Sequence, residues 1–130
     1  MSIFTHVVIG ANNIDQARTF FDAALAPLGI NRISSGESQE PVAALMYGVD
    51  APSLIVTLPR DGNAATHANG GTIGLVAPNP AAVDAFHAAA LANGGSCEGE
   101  PGSREGGGPN AYGAYVRDPV GNKICAFSFG

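Results

Sequence analysis

The stretch FFDAALAPLG at Phe20–Gly29 is written a second time, with small changes, as FHAAALANGG at Phe86–Gly95. Sliding the chain by the 66 residues that carry Phe20 onto Phe86 extends the match: Ala11 falls on Ala77, Asn13 on Asn79 and Gly29 on Gly95. An alanine-rich helical composition would not by itself align two glycines and two helix-capping residues. Self-similarity at a fixed offset marks an internal duplication.

Each copy opens with a short, β-branched apolar run, FTHVVIGA (Phe4–Ala11) and GTIGLVAP (Gly71–Pro78), that reads as a strand. A helix follows each. Asn13 caps the first, with Gln16 placed to reach back in a capping box; Asn79 caps the second, with Pro80 at a position where its missing N–H costs nothing. Ile14, Ala17, Phe21, Ala24, Leu25 and Leu28 recur at three- and four-residue steps and form one apolar helix face. Gly29 and the pair Gly94-Gly95 end the helices. Short strands then follow, near 32–37, 42–47 and 53–58 in the first copy and near 96–100, 111–117 and 123–129 in the second. DPVGN (Asp118–Asn122) is a tight-turn signal that makes a hairpin of the last two. The reading is βαβββ written twice: an α+β chain whose helices cover one face of two mostly antiparallel sheets. It is expected to be a single domain over 1–130, with repeat 1 at about 1–62 and repeat 2 at about 69–130.

Composition narrows the function classes. With 130 residues, 45% of them hydrophobic, the chain can bury a core. Its 18 glycines and 9 prolines punctuate apolar segments and form no low-complexity tract. A net charge of −5 without a Lys or Arg cluster argues against nucleic acid and anionic membrane surfaces as partners. MSIFTHVVIG has neither a basic leader nor a long apolar run, so no signal peptide or membrane span is expected and the expected location is the cytoplasm. Cys97 and Cys125 lack the spacing of a disulfide scaffold, which suits a reducing compartment.

With βαβββ twice, FTHVVIGANNIDQARTFFDAALAPLG at Phe4–Gly29 and YGAYVRDPVGNKI at Tyr112–Ile124, the chain resembles the vicinal oxygen chelate superfamily. That group holds glyoxalase I, bleomycin-resistance proteins and extradiol dioxygenases. The resemblance covers essentially the whole chain. It implies two sheets curled into a partly open barrel, or cup, with the helices outside. It also implies a homodimer, since members commonly dimerise and some complete the cup with modules from two chains. In metal-dependent members four inward positions hold a divalent ion: a His on the first strand of repeat 1, a carboxylate on its last strand, and their counterparts in repeat 2. The ion chelates two neighbouring substrate oxygens and stabilises an enediolate-like anion as a Lewis acid.

On this sequence His6 takes the first of those positions and its counterpart is Thr72. Cys125 stands where the family's closing carboxylate would be. Its partner, aligning SLIVTL on NKICAF, is Val56, or Thr57 if that alignment slips by one residue. One imidazole and one thiol fall short of the three protein ligands that a catalytic zinc site needs, and nickel, iron or manganese would want more nitrogen or oxygen donors. No cofactor is therefore expected; the alternative is a divalent metal that uses His6.

Strand parity points Phe4, His6 and Val8 into the cup, with Leu54, Val56, Leu58, Thr72, Gly74, Cys125 and Phe127 from the other strands. Tyr112 and Tyr115 have opposite parity, so one of them joins this lining. His6 reads as a cavity histidine bonded to a neighbour or ligand, and Cys125 as a small buried apolar residue. The sharper alternative is a catalytic His6–Cys125 pair in which the imidazole withdraws the thiol proton. His67, in NAATHANGG (Asn63–Gly71), reads as solvated, and His87, which corresponds to Phe21, as an edge of helix–sheet packing. GEPGSREGGGPN (Gly99–Asn110) is either a plain surface loop or a lid carrying Arg104 or Glu105 over a bound ligand. Glu37, Glu98, Glu100, Glu105 and His67 are reserve metal donors.

The functional expectation is a glyoxalase/bleomycin-resistance/dioxygenase-like protein that holds a small organic molecule in its cup without the usual metal quartet. Sequestration and metal-independent catalysis both fit it. The alternative is a metal-dependent lyase or dioxygenase that uses His6 and non-standard ligands.

Overall fold

Asn13 leaves the first strand in an extended conformation, and its side-chain oxygen accepts from the Gln16 amide at 2.9 Å, which starts the first helix. Asn79 does the same for the Ala82 amide at 2.9 Å, ahead of Pro80. The computed structural model describes residues 2–34 and 44–130. The order of elements is β1 (Val7–Gly10), α1 (Ile14–Leu25), a 3-10 turn (Ala26–Leu28), β2 (Asn31–Ser34), β3 (Ala44–Gly48) and β4 (Pro52–Thr57). The second half repeats it with β5 (Ile73–Val76), α2 (Pro80–Ala92), β6 (Ser96–Ser103), a 3-10 turn (Glu105–Gly107), β7 (Tyr112–Arg117) and β8 (Lys123–Ser128).

The strands form two unclosed four-stranded sheets, ordered β1-β4-β3-β2 and β5-β8-β7-β6. In each, the first strand pairs parallel with the last, and the other pairings are antiparallel. The fold is the expected α+β pair of βαβββ units. Gly29 and Gly94 end the helices at φ values of 76° and 98°, where a side chain would be strained. Gly95 is needed for space: a Cβ there would lie 2.5 Å from the Phe20 ring and 2.8 Å from the Arg117 carbonyl.

The two helices pack on each other and on one face of the sheets. Phe20, Phe21, Leu25, Val83 and Phe86 are fully buried there, each contributing about 1.5–3 kcal/mol by burial. The sheets meet them with Leu45, Tyr47, Leu54 and Val56 from one half and Ala114, Val116, Ile124 and Ala126 from the other. This corrects the strand parity assumed for the cup lining. Leu54 and Val56 face the helices, and the residue between them, Ile55, is on the opposite face.

The expected strand ends at Glu37 and Val42 lie outside the described residues. The strand expected to stop at Glu100 runs on to Ser103. Pro101 and the flanking glycines are tolerated because β6 is an edge strand and carries two register shifts. DPVGN forms the hairpin turn between β7 and β8. Asp118 Oδ1 accepts from the amides of Val120, Gly121 and Asn122 at 3.1, 2.9 and 2.8 Å. The Asn122 amide side chain donates to Asp118 Oδ2 and also across to the Gly10 carbonyl at 3.0 Å, joining the closing turn to β1. Burial pushes the Asp118 carboxyl above its ordinary value, and these hydrogen bonds pull against that rise.

Candidate functional site: the open sheet faces

Parallel pairing sets the correspondence between the halves. Val8 lies opposite Ile55 in the first sheet, and Gly74 lies opposite Cys125 in the second. Since Val8 and Gly74 are equivalent under the duplication, Cys125 corresponds to Ile55. The sequence alignment that gave Val56 is off by one residue, which in a strand changes the face. The four positions therefore read His6, Ile55, Thr72 and Cys125.

His6 is exposed just ahead of β1, and its Nδ1 is 3.0 Å from the Thr5 hydroxyl. Thr72 is exposed ahead of β5. Cys125 is buried, and its sulfur lies over Gly74, 3.4 Å from where a Cβ on that residue would be, in van der Waals contact. Burial pushes the Cys125 thiol above its ordinary value, and the nearby Lys123 ammonium opposes this only in part. His6 and Cys125 share no hydrogen bond among the described residues.

The tyrosines separate as parity requires. Tyr112 leans toward α2 and donates its hydroxyl to Asp84 at 2.6 Å, so of the two it is not the one on the open face. Tyr115 is on the open face, edge-on to Phe127 at 5.8 Å between ring centres, and Phe127 stacks on Phe129 at 5.9 Å. The Lys123 ammonium is 5.1 Å and the Arg104 guanidinium 5.7 Å from the Tyr115 ring centre. Arg104 also donates to the Glu100 carbonyl at 2.6 Å, so this side chain is anchored on the sheet. Glu105 is exposed in the 3-10 turn that follows.

A cavity of about 770 Å³ opens between β1 and β5, each an edge strand. Phe4, His6, Leu54, Thr72 and Gly74 line it, and Leu28 and Tyr47 add to its walls. Val8, Val56, Leu58, Tyr115, Cys125 and Phe127 are not part of its lining. The apolar surface is thus in two places, the seam between the sheets and the aromatic open face of β7 and β8. Leu58 is half-buried beyond the end of β4.

A third group of chemical side chains lies away from both. His87 Nε2 is 3.2 Å from Cys97 Sγ, and Cys97 Sγ is 3.6 Å from a Glu100 carboxylate oxygen. His67 is exposed, and Glu98 pairs with Arg117 at 3.1 Å, which holds its carboxyl below the ordinary value. Glu37 lies outside the described residues.

The family model described as Glyoxalase/Bleomycin resistance protein/Dioxygenase superfamily matches residues 3–126. The chain belongs to this superfamily. A glyoxalase/bleomycin resistance protein from Albidiferax ferrireducens T118 is similar at 43% identity, with 98% of this chain and 99% of that one covered and a TM-score of 0.87. A glyoxalase-related enzyme from Fulvimarina pelagi shares the fold at 14% identity, with coverage of 98% and 88% and a TM-score of 0.72. Lactoylglutathione lyase from Agrobacterium tumefaciens shares it at 20% identity, with coverage of 98% and 92% and a TM-score of 0.62. No protein of curated function matches the chain. Among the described residues no helix of this superfamily member is long and apolar enough to cross a membrane.

Proposed function

We propose that this chain holds a small organic molecule on its open sheet faces and does so without the metal quartet of the metal-dependent relatives. The observation that carries the reading is the set His6, Ile55, Thr72 and Cys125 at the four positions. It contains one imidazole, one hydroxyl, one hydrocarbon and one buried thiol with a raised pKa, and no carboxylate. That donor set does not fit a divalent ion at a site needing three protein ligands. The surface around it is mostly apolar with a few polar points, the make-up of a small-molecule pocket. Lys123 and Arg104 beside Tyr115 favour a ligand with an apolar body and an acidic group.

The proposal includes a homodimer in the cytoplasm. Its support is apolar surface on and beside the two edge strands: Phe4 is 66% exposed, Val8 51% and Val76 77%. Burying that surface against a second copy would also enclose the open faces.

The test is a thermal-shift and calorimetric screen of small aromatic acids and their neutral analogues, combined with metal analysis of untagged protein. An acid should bind, and His6→Ala should weaken it modestly, by less than about tenfold. A divalent metal at one equivalent per chain that is lost with His6→Ala would overturn the reading. Analytical ultracentrifugation checks the dimer, and a monomer at micromolar concentration would sink that part.

A further inference from the structure

We propose that His87, Cys97 and Glu100 form a metal-binding site for a zinc-like divalent ion, on the outer side of repeat 2 and separate from the open sheet faces. His87 Nε2, Cys97 Sγ and one Glu100 carboxylate oxygen all lie within 4.8 Å of one another. His87 Nε2 is 3.2 Å from Cys97 Sγ, Cys97 Sγ is 3.6 Å from Glu100 Oε1, and His87 Nε2 is 3.9 Å from the other carboxylate oxygen, Oε2. Tetrahedral zinc, with bonds of about 2.3 Å to sulfur and about 2.0–2.1 Å to nitrogen or oxygen, puts its donors about 3.3–3.6 Å apart. The sulfur therefore stands at about such a separation from both the imidazole nitrogen and Glu100 Oε1 before any ion enters, and the third side closes by a turn of the carboxylate. Adjustment falls on Glu100, whose side chain is 78% exposed and free to move.

The backbone brings these donors together by breaking a strand rule. Cys97 and Glu100 are three residues apart, so in a regular strand they would face opposite sides of the sheet. Cys97 pairs with Val116 and Gly99 with Tyr115, so β6 has an extra residue there and the bulge restores a common side. Both side chains then face α2, from which His87 projects while itself buried to 6% exposure. Glu98, between them, is on the other face with Arg117.

The chemistry selects the ion. A thiolate, an imidazole and a carboxylate suit zinc or cobalt(II), whereas magnesium and calcium want oxygen ligands throughout. Three protein ligands leave one position, and exposed Cys97 and Glu100 place it toward solvent. Among the described residues no Lys or Arg forms an ion pair with Glu100, so the cluster lacks a cation of its own. A bound ion would supply it and clip α2 to the bulged edge strand.

The experiment is cobalt(II) titration of the full chain, reduced and stripped of metal, followed by zinc displacement. Expected is one equivalent per chain with a sulfur-to-metal charge-transfer absorption that zinc abolishes. Cys97→Ser, at an exposed position that should not disturb folding, should remove the absorption and weaken binding by more than about tenfold. Glu100→Gln should weaken it, and His6→Ala and Cys125→Ala should leave it unchanged. An absorption missing from the wild type, or surviving Cys97→Ser, would overturn the site. Loss with His6→Ala instead would count against both this site and the proposed function, whereas an absorption missing from the wild type would count against this site alone.

Discussion

The two helix–sheet seams occupy equivalent places in the duplicated halves and are closed by different chemistry. In the first, Asp22 on α1 accepts from the Tyr47 hydroxyl at 2.8 Å and from Arg32 at 3.1 Å. Beside it Phe21 packs against Phe20 and Tyr47, with ring centres 4.8 and 5.9 Å apart. This seam contains its own cation and its own aromatic filling. In the second, the residue equivalent to Phe21 is His87, and it meets Cys97 and Glu100. The topology, caps and register were kept while one seam became a neutralised, packed joint and the other a cluster of donors. A duplicated scaffold lets one copy hold the structure while the other acquires new chemistry.

Exchanging the equivalent residues tests that contrast most severely. Phe21→His should cost about 2–4 kcal/mol in urea unfolding, because it removes aromatic packing and buries an imidazole without a donor cluster to meet it. His87→Phe should cost much less, within about 1.5 kcal/mol, while abolishing cobalt binding. Equal costs would mean that the seams are not specialised.

Next in size is the turn specific to repeat 2. Asp118→Ala removes the carboxylate that accepts from one buried and two part-buried amides and from the Asn122 side chain, and should cost about 2 kcal/mol. A change below about 0.5 kcal/mol would show that water replaces the carboxylate there.

The two thiols should differ by about tenfold or more in alkylation rate at neutral pH, with exposed Cys97 ahead of buried Cys125. The sign for Cys125 follows from its raised pKa: less thiolate at a given pH, and a rate still climbing above the ordinary thiol range. In that alkaline window the unfolded chain releases a proton that the folded chain keeps, so stability falls as pH rises, and Cys125→Ala should flatten the fall. Faster labelling of Cys125 than of Cys97 would reverse the comparison.

The smallest effect is at Ser128. Its hydroxyl is buried against the helix side with no hydrogen-bond partner among the described residues, so Ser128→Ala should be neutral or stabilising by up to about 1 kcal/mol. A loss of stability would point to a hidden partner.

Most of the fold was legible because duplication doubles every signal. The caps Asn13 and Asn79, the glycines after each helix and the DPVGN turn all appear where the pattern put them. The site was less legible, for one geometric reason. The offset of 66 holds through β1, β5 and the helices, but connections of unequal length change it before the last strands, where Leu54 corresponds to Ile124. Sliding SLIVTL by one residue chose Val56 and Leu54 for the cup and hid Ile55. Matching Ile55 to Val8 across the parallel pair would have found it, but that pairing is a tertiary fact. The cluster at His87 was hidden for a related reason. Gly99 between Cys97 and Glu100 is the sequence trace of the bulge, yet glycine in a strand announces a break without saying which residues it realigns.

The hydrogen bond from Asn122 to the Gly10 carbonyl has a consequence in time. On a ribosome β1 emerges first, and this fastening waits until 112 further residues have been made. Repeat 1 can collapse on its own helix early, with Gly10 already paired to Thr57, but the tie from the Gly10 carbonyl to repeat 2 forms only when the last hairpin turn exists. Truncations that stop before Asp118 should therefore expose β1 to exchange and proteolysis first, while full-length chains protect it. In this fold the last hairpin turn is what fastens the first strand to the second repeat.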